Sequence, residues 1–360
     1  MSVVTTALTS YPIVGSLLVV SASLATMPLF RRNQMPVAGR VVVVTGGSQG
    51  MGKCVAILLA RMGAHIAIVA RNQQKLDDAL TEIKVRLFRS LLQWMDISLT
   101  RVTPQAAARD PTQKFLAVSA DLTTGPATTD AFEAIAASLG VPDIVWQCAG
   151  GTKPGYFKDY SSAELEAEMA MNYFTALHTA HCAVRMMTAS PTAGPTQQQK
   201  KRHIVLTSSV VAFYPIAGYN AYSPAKAAIR SLADGLRQEC LLYDIDVHAC
   251  FPATIYTPGF EEEKKTKPEL TTILEGADEG QTPEQVAAVC VKALERGDKI
   301  IATTLMGSAM RGGAWGGSPK GVWDTVFGMV LVVVWSIVGK VMDWEVVKYK
   351  RRLVKEGRTV

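Results

Sequence analysis

"GRVVVVTGGSQGMGKCVAILLARMGAHIAIVARN", Gly39 to Asn72, decides how the rest of the chain is read. A β-branched run, a glycine-rich turn and an apolar-faced stretch lead into a second β-branched run, which spells strand, turn, helix, strand. Two motifs overlap in the turn. Gly46-Gly47-Ser48-Gln49-Gly50 spells G-x-S-x-G, the elbow that exposes a nucleophilic serine. Gly46, Gly50 and Gly52 also space out a loop able to cradle phosphate at the N-terminus of a helix beginning near Met51. Both readings need the same local structure, so the remaining chain must choose.

Working outward, β-branched runs recur at 40–45, 65–70, 114–119, 143–148, 203–208, 246–251 and 299–304, with amphipathic helical stretches between them. That alternation predicts an α/β fold, a doubly wound parallel sheet covered on both faces. Two connections are long: 84–113, read as a helical insertion, and 190–202, "SPTAGPTQQQKKR", read as a polar surface loop. Six cysteines at 54, 148, 182, 240, 250 and 290 show no C-x-x-C spacing and lie mostly in apolar runs, as reduced core cysteines do.

The chain has 360 residues, 48% apolar, with a net charge of +6. Its mean hydropathy of +0.16 excludes disorder and points to membrane contact. Tyr11 to Phe30 runs twenty residues without a charge and is closed by Arg31-Arg32. This suits an uncleaved anchor with the main domain on the cytosolic side, because no positive charge precedes the apolar run. Thr325 to Gly339 gives fifteen more uncharged residues, short for a span and punctuated by Trp323, Trp335 and Trp344. A re-entrant or interface-lying segment fits, with a buried core helix as the alternative. Lys340 to Arg358 then carries a local +4 of the total +6, which suits an anionic membrane surface; no nucleic-acid partner is expected. The expected organisation is an anchor over 1–32, a catalytic domain over 38–310, and a hydrophobic segment with a basic tail over 321–360.

Chemistry gathers at three places. The second strand ends in Arg71, with Lys75 one turn later, where a site preferring NAD would carry an acid. A guanidinium there suits a 2′-phosphate, hence NADPH, although a solvated arginine reads the same way. Asp121 follows the third strand, where it can meet an adenine amino group or simply shape a turn. In "TSSVVAFYPIAGYNAYSPAKAAIRSL", Tyr222 and Lys226 are four apart on one helix face. The ammonium is expected to lower the phenol pKa toward neutrality, and such a tyrosine can protonate a developing alkoxide. Ser209, at a strand end, can donate to the same oxygen.

These residues together resemble the short-chain dehydrogenase/reductase family over about residues 40–260, with its Rossmann-like sheet. The resemblance places Ser209, Tyr222 and Lys226 on catalytic positions. It adds Asn172, in "AMNYFTALHTA", as the fourth member that orders a proton-relay water. It implies a cofactor site from Gly46, Ser48, Gln49, Gly50, Arg71, Lys75 and Asp121 together with Tyr222 and Lys226, and the family often pairs helices into homo-oligomers. Gln147-Cys148-Ala149-Gly150 and Pro252-Ala253 depart from the usual N-N-A-G and P-G. "CAGGTKPGYF" (148–157) and "YTPGFEEEKKTKPEL" (256–270), with both flanks, resemble the 3-ketodihydrosphingosine reductases of the endoplasmic reticulum membrane. That likeness implies a long-chain sphingoid ketone as substrate, NADPH as reductant and sphinganine as product. Another membrane reductase, of a steroid, retinoid or 3-ketoacyl lipid, is the alternative.

The hydrolase reading fails for want of a late histidine. His65, His178, His181, His203 and His248 all precede the chain end, where the triad order requires one. Ser48 is therefore assigned to cofactor phosphates. His178 and His181 are three apart on a helix but lack a convincing third ligand, so no metal is expected. Glu261, Glu262 and Glu263 fall in the loop that closes over substrate, where they can attract an ammonium or form a solvated acidic face.

Overall fold

The computed structural model describes residues 33–94, 112–189, 201–276, 279–314, 321–324, 326, 341, 344, 348, 351–353 and 355–357. The chain divides into two compact units, Met1–Gln34 and Met35–Val360, and every element below belongs to the second.

Seven strands, β1 (Val41–Thr45), β2 (His65–Ala70), β3 (Phe115–Ser119), β4 (Ile144–Gln147), β5 (Arg202–Thr207), β6 (Ile245–Phe251) and β7 (Ile300–Ala302), form one sheet. Their order is β3-β2-β1-β4-β5-β6-β7, and every pairing is parallel. Each anticipated strand is present, displaced by no more than two residues at either end. The helices are α1 (Gly50–Arg61), α2 (Gln73–Trp94), α3 (Gly125–Leu139), α4 (Ser162–Met169), α5 (Thr175–Ala189), α6 (Tyr222–Glu239), α7 (Pro258–Lys264), α8 (Glu269–Glu275), α9 (Pro283–Arg296) and α10 (Leu305–Gly313).

Side chains alternate across each strand, and the sheet uses both faces. Val42 and Val44 of β1 join α1, α2 and α9 in one core, whereas Val43 joins α3, α5 and α6 in the other. Full burial of each such aliphatic side chain contributes roughly 1.5–3 kcal/mol. Local signals set the helix ends. Ser161 and Glu164 form a reciprocal cap on α4, and Thr282 and Gln285 do the same for α9, whose chain exits through Gly297 at φ 85°.

The order reverses between β2-β1 and β4, and this switch opens a crevice at the carboxyl ends of the strands. Of the 84–113 stretch, the first part continues α2 to Trp94, and 95–111 lies outside the described residues. So do the anchor at 11–30, the loop at 190–200 and the 325–339 segment apart from Val326. No helix among the described residues is long and apolar enough to cross a membrane.

Candidate active site

The crevice is floored by glycine. Gly46 leaves β1 at φ +68°, and a Cβ there would lie 2.8 Å from the Ala149 backbone nitrogen. A Cβ on Gly52 would lie 2.4 Å from Gly46 O. Only glycine permits both approaches, and they bring the start of α1 against the loop that follows β4. Gln49 is the N-cap of α1 but makes no side-chain cap bond, and the first turn carries no acid. Its N–H groups therefore present partial positive charge to the crevice, as a pyrophosphate requires. Thr257, the N-cap of α7, closes the opposite wall, 3.1 Å from where a Gly50 Cβ would lie. Ser48 and Gln49 are half-buried along this loop.

At its rim, exposed Arg71 follows β2, and Lys75 Nζ reaches back to Gln49 Oε1 at 3.5 Å. Two basic residues therefore follow β2 at the rim, the end of the site where a ribose 2′-substituent is expected. Asp121 turns inward on its own loop, its Oδ1 accepting from Thr123 N at 3.1 Å and Thr123 Oγ1 at 2.9 Å. The turn-forming alternative accounts for that oxygen. Taken together, the glycine cradle, the uncapped helix start and the paired cations fit a dinucleotide.

Beyond the loop, α6 begins at Tyr222. Lys226 shares its buried face with Ile229 and Ala233, so the apolar side of the helix carries an ammonium inward. Lys226 Nζ donates to Thr207 O at 3.1 Å and stands 5.3 Å from the Tyr222 ring centroid. Burial lowers its pKa to about 8, partly opposed by the neighbouring Cys148 and Glu168. The Ser209 hydroxyl, which donates to Pro252 O at 3.4 Å, lies near enough to the Tyr222 phenol to pull its pKa down. Asn172 sits on a π-helical turn, Ala170–Phe174, between α4 and α5. That irregular turn directs it into the interior, where Nδ2 donates to Gly151 O at 2.8 Å and Glu168 O at 3.0 Å. A Cβ on Gly150 would touch Asn172 Oδ1 at 2.8 Å and Lys226 Nζ at 3.4 Å, so these two side chains meet over that glycine. Tyr222, Ser209, Lys226 and Asn172 are thus brought together.

In one respect the electrostatics depart from expectation. The Tyr222 phenol is raised above its ordinary pKa, first by burial and then by Glu263 and Glu168, with only Ser209 pulling it down. Lys226 donates to the Thr207 carbonyl and faces the Tyr222 ring rather than its hydroxyl, and burial controls the phenol.

Glu168 was not anticipated. It is 4% exposed, lies one turn before Asn172, and accepts from Lys153 N at 2.9 Å. Its position four residues before Asn172 was the available signal, since both share a helix face. The Gln147 departure is satisfied internally: Oε1 accepts from Thr207 N at 3.2 Å and Nε2 donates to Ala149 O, which ties the ends of β4 and β5 together. All six cysteines are free thiols. At the far end of the sheet, His203, Asp246 and His248 bring ligand-type atoms within 4.8 Å of one another. There the imidazoles bond each other at 3.2 Å, and Asp246 is taken by Lys201 at 3.0 Å and Lys299 at 2.8 Å.

A glycine loop on a parallel sheet, with Ser209 after β5, Tyr222 and Lys226 on α6 and Asn172 on the π turn gathered beside it, defines an oxidoreductase of the nicotinamide-dependent class. Residues 40–109 and 92–268 match the short chain dehydrogenase family, and the chain belongs to it. It is 40% identical over 318 residues to a 3-ketodihydrosphingosine reductase of Aspergillus fumigatus, covering 83% of this chain and 80% of that one. A Neurospora crassa protein of the same description is 36% identical, over 91% and 87% of the two chains. One from Saccharomyces cerevisiae is 31% identical, over 87% and 95%. Among solved structures, a dehydrogenase/reductase from Sinorhizobium meliloti superposes with a TM-score of 0.57 at 21% identity, covering 75% of this chain and 96% of that one. That likeness supports the fold.

Proposed function

We propose that this protein reduces 3-ketodihydrosphingosine to dihydrosphingosine with NADPH. The observation that carries the reading is the convergence of Tyr222, Ser209, Lys226 and Asn172 beside the glycine cradle, in a chain that matches several reductases of that description over most of its length.

In this reading Gly46, Ser48, Gln49 and Gly50 hold the pyrophosphate, and Arg71 and Lys75 hold the 2′-phosphate that distinguishes NADPH. Asp121 lies at the adenine end. When bound, the nicotinamide supplies hydride to the ketone carbon. Ser209 Oγ orients and polarises the carbonyl, and Tyr222 donates its phenolic proton to the developing alkoxide. Lys226 holds the nicotinamide ribose with its ammonium. Asn172, braced by Glu168, holds the water through which Tyr222 is reprotonated.

The surroundings suit an amphiphile. α10 packs on the turn after Ser209, where a Gly307 Cβ would lie 3.0 Å from Val210 Cγ1. Its first residues, Leu305 and Met306, are 88% and 58% exposed. Exposed apolar side chains at the start of a helix beside the site suit a place where a lipid enters from a bilayer. We propose further that residues 38–310 form a catalytic domain on the cytosolic face of the endoplasmic reticulum, held by an anchor in 1–32 and a membrane-associated segment in 321–360.

The test is NADPH oxidation by the detergent-solubilised full chain with 3-ketodihydrosphingosine, set beside a steroid ketone and a retinal. Selective turnover of the sphingoid ketone is expected. Turnover of another lipid carbonyl in its place would overturn the substrate and keep the chemistry.

A further inference from the structure

Three consecutive glutamates precede the end of α7, and they lie in different environments. Glu261 and Glu262 are exposed, and each pairs with the lysine three residues on, at 2.9 Å and 2.6 Å. That is a solvated face. Glu263 is 17% exposed and turns inward. Its Oε1 accepts from the Tyr219 hydroxyl at 2.5 Å and pairs with Lys267 Nζ at 2.8 Å. Glu275 on α8 meets the same two groups, at 2.6 Å and 3.0 Å. Lys267 is itself only 6% exposed and stands over the Tyr219 and Phe260 rings.

This arrangement is one positive charge short. Two carboxylates share a single ammonium, and the one phenolic proton of Tyr219 cannot fully serve both. Among the described residues, no protein donor is recorded for the second oxygen of Glu263. Uncompensated charge in a largely buried place is costly, and it is tolerated where a ligand brings the counter-charge. The place is also specific: the Tyr219 ring lies 5.9 Å from that of Tyr222, the proposed proton donor. Glu168, a further buried carboxylate, also acts on Tyr222.

We propose that Glu263 is a specificity-determining residue, pairing with a protonated amino group one carbon from the substrate's ketone, so that the site selects cationic 2-amino ketones over neutral ones. The inference rests on the substrate reading above, because 3-ketodihydrosphingosine carries such an amine. With its ketone oxygen on Tyr222, the adjacent ammonium comes within reach of the carboxylate that Tyr219 and Lys267 hold in place.

The experiment compares 3-ketodihydrosphingosine with its N-acetylated form, which keeps the chain and ketone but loses the charge, in the same micelles. Wild type is expected to favour the free amine by about 10- to 100-fold in kcat/KM, the range of a hydrogen bond to a charged group. Glu263→Gln keeps an acceptor for Tyr219 and leaves Lys267 balanced by Glu275. It should remove most of that preference by lowering kcat/KM on the amine, while the acetylated substrate should lose nothing and gain in kcat, because the carboxylate charge acting on Tyr222 goes with it. Glu263→Asp should recover part of the preference, and Glu262→Gln should match wild type. Equal losses on both substrates would make the network a structural clasp and overturn the proposal, as would an undiminished preference. Should Glu263→Gln fail to fold, wild type still decides: dihydrosphingosine must inhibit at least tenfold more tightly than N-acetyl dihydrosphingosine. A wild type that reduces neither long-chain ketone but does reduce a steroid or retinal refutes the substrate reading itself, and this inference with it. A wild type that reduces both without discrimination refutes this inference alone.

Discussion

Two glycine-to-alanine substitutions should have opposite signs, and the structure supplies the reason for each. Gly52 opens α1 against the β1 turn, and an added Cβ would stand 2.4 Å from Gly46 O, 2.9 Å from Gly46 C and 3.2 Å from Cys148 Cβ. The two nearest atoms are backbone, so no rotamer change relieves the clash. The loop must move, and Gly46 is already held at φ +68°. Overpacking of this kind costs about 1–3 kcal/mol, which is roughly 3–10 °C in Tm for a domain of this size. The same displacement pulls the helix start away from the pyrophosphate position, so NADPH affinity should fall at least about tenfold. Gly235 lies exposed within α6, and its added Cβ would meet nothing within 4 Å. Gly235→Ala should therefore stabilise the helix by about 0.5–1 kcal/mol and leave the cofactor site alone. Thermal denaturation with and without NADPH, together with a fluorescence titration of NADPH, reads both. A Gly52→Ala protein as stable and as tight-binding as wild type would refute the close-approach argument, and a destabilised Gly235→Ala would refute the reading of α6.

Removing the Tyr222 hydroxyl with Tyr222→Phe should lower kcat by about 10²–10⁴-fold while NADPH affinity stays within about twofold; near-normal turnover would reject the acid assignment. Arg71→Glu should raise the Kd for NADPH by about 10–100-fold and leave NADH nearly unchanged, since the lost contact is a charge-assisted bond to the 2′-phosphate. Equal effects on the two cofactors would count against that contact. Acid should weaken the fold through the histidine pair. Burial lowers His248 to about 4 and His203 to about 3, so both imidazoles are neutral when folded, whereas the unfolded chain protonates them below roughly pH 6.5. Their contribution is complete above that pH and is lost as pH falls toward 4, about 3 kcal/mol for His248 alone. His248→Asn should flatten the fall in Tm between pH 7 and 5; an unchanged slope would place the acid sensitivity elsewhere.

The sheet was readable because both periodicities it depends on are local. β1 alternates its valines between two cores, and α1 follows within five residues of the strand's end. The glycine loop and the Tyr222–Lys226 pair were likewise visible, because one turn of helix or one tight loop fixes their spacing. Three features did not show in advance because they depend on tertiary distance. Glu263 differs from Glu261 and Glu262 only through Tyr219, forty-four residues away, and through Glu275. His178 and His181 drew attention by their spacing, while the histidines that do meet, His203 and His248, lie on neighbouring strands. The phenol of Tyr222 is governed by burial and by two carboxylates that sequence spacing does not place beside it.

That last difference bears on the direction of the reaction. A lysine four residues from a tyrosine suggests a phenolate, which serves a base that accepts a proton from an alcohol. Here burial, Glu263 and Glu168 all hold the proton on Tyr222, and Ser209 offsets only part of this. Lys226, lowered to about 8, still carries its charge at neutral pH. The resting pair is therefore a loaded phenol beside an ammonium, the state from which a carbonyl oxygen is protonated. Substrate binding adds to the logic: an ammonium beside Glu263 would neutralise the strongest of the carboxylate charges acting on Tyr222. The phenol becomes a better acid at the moment the ketone is in place. A neutral ketone would leave that charge uncancelled, so selection for the amine and readiness to give up the proton would depend on the same carboxylate.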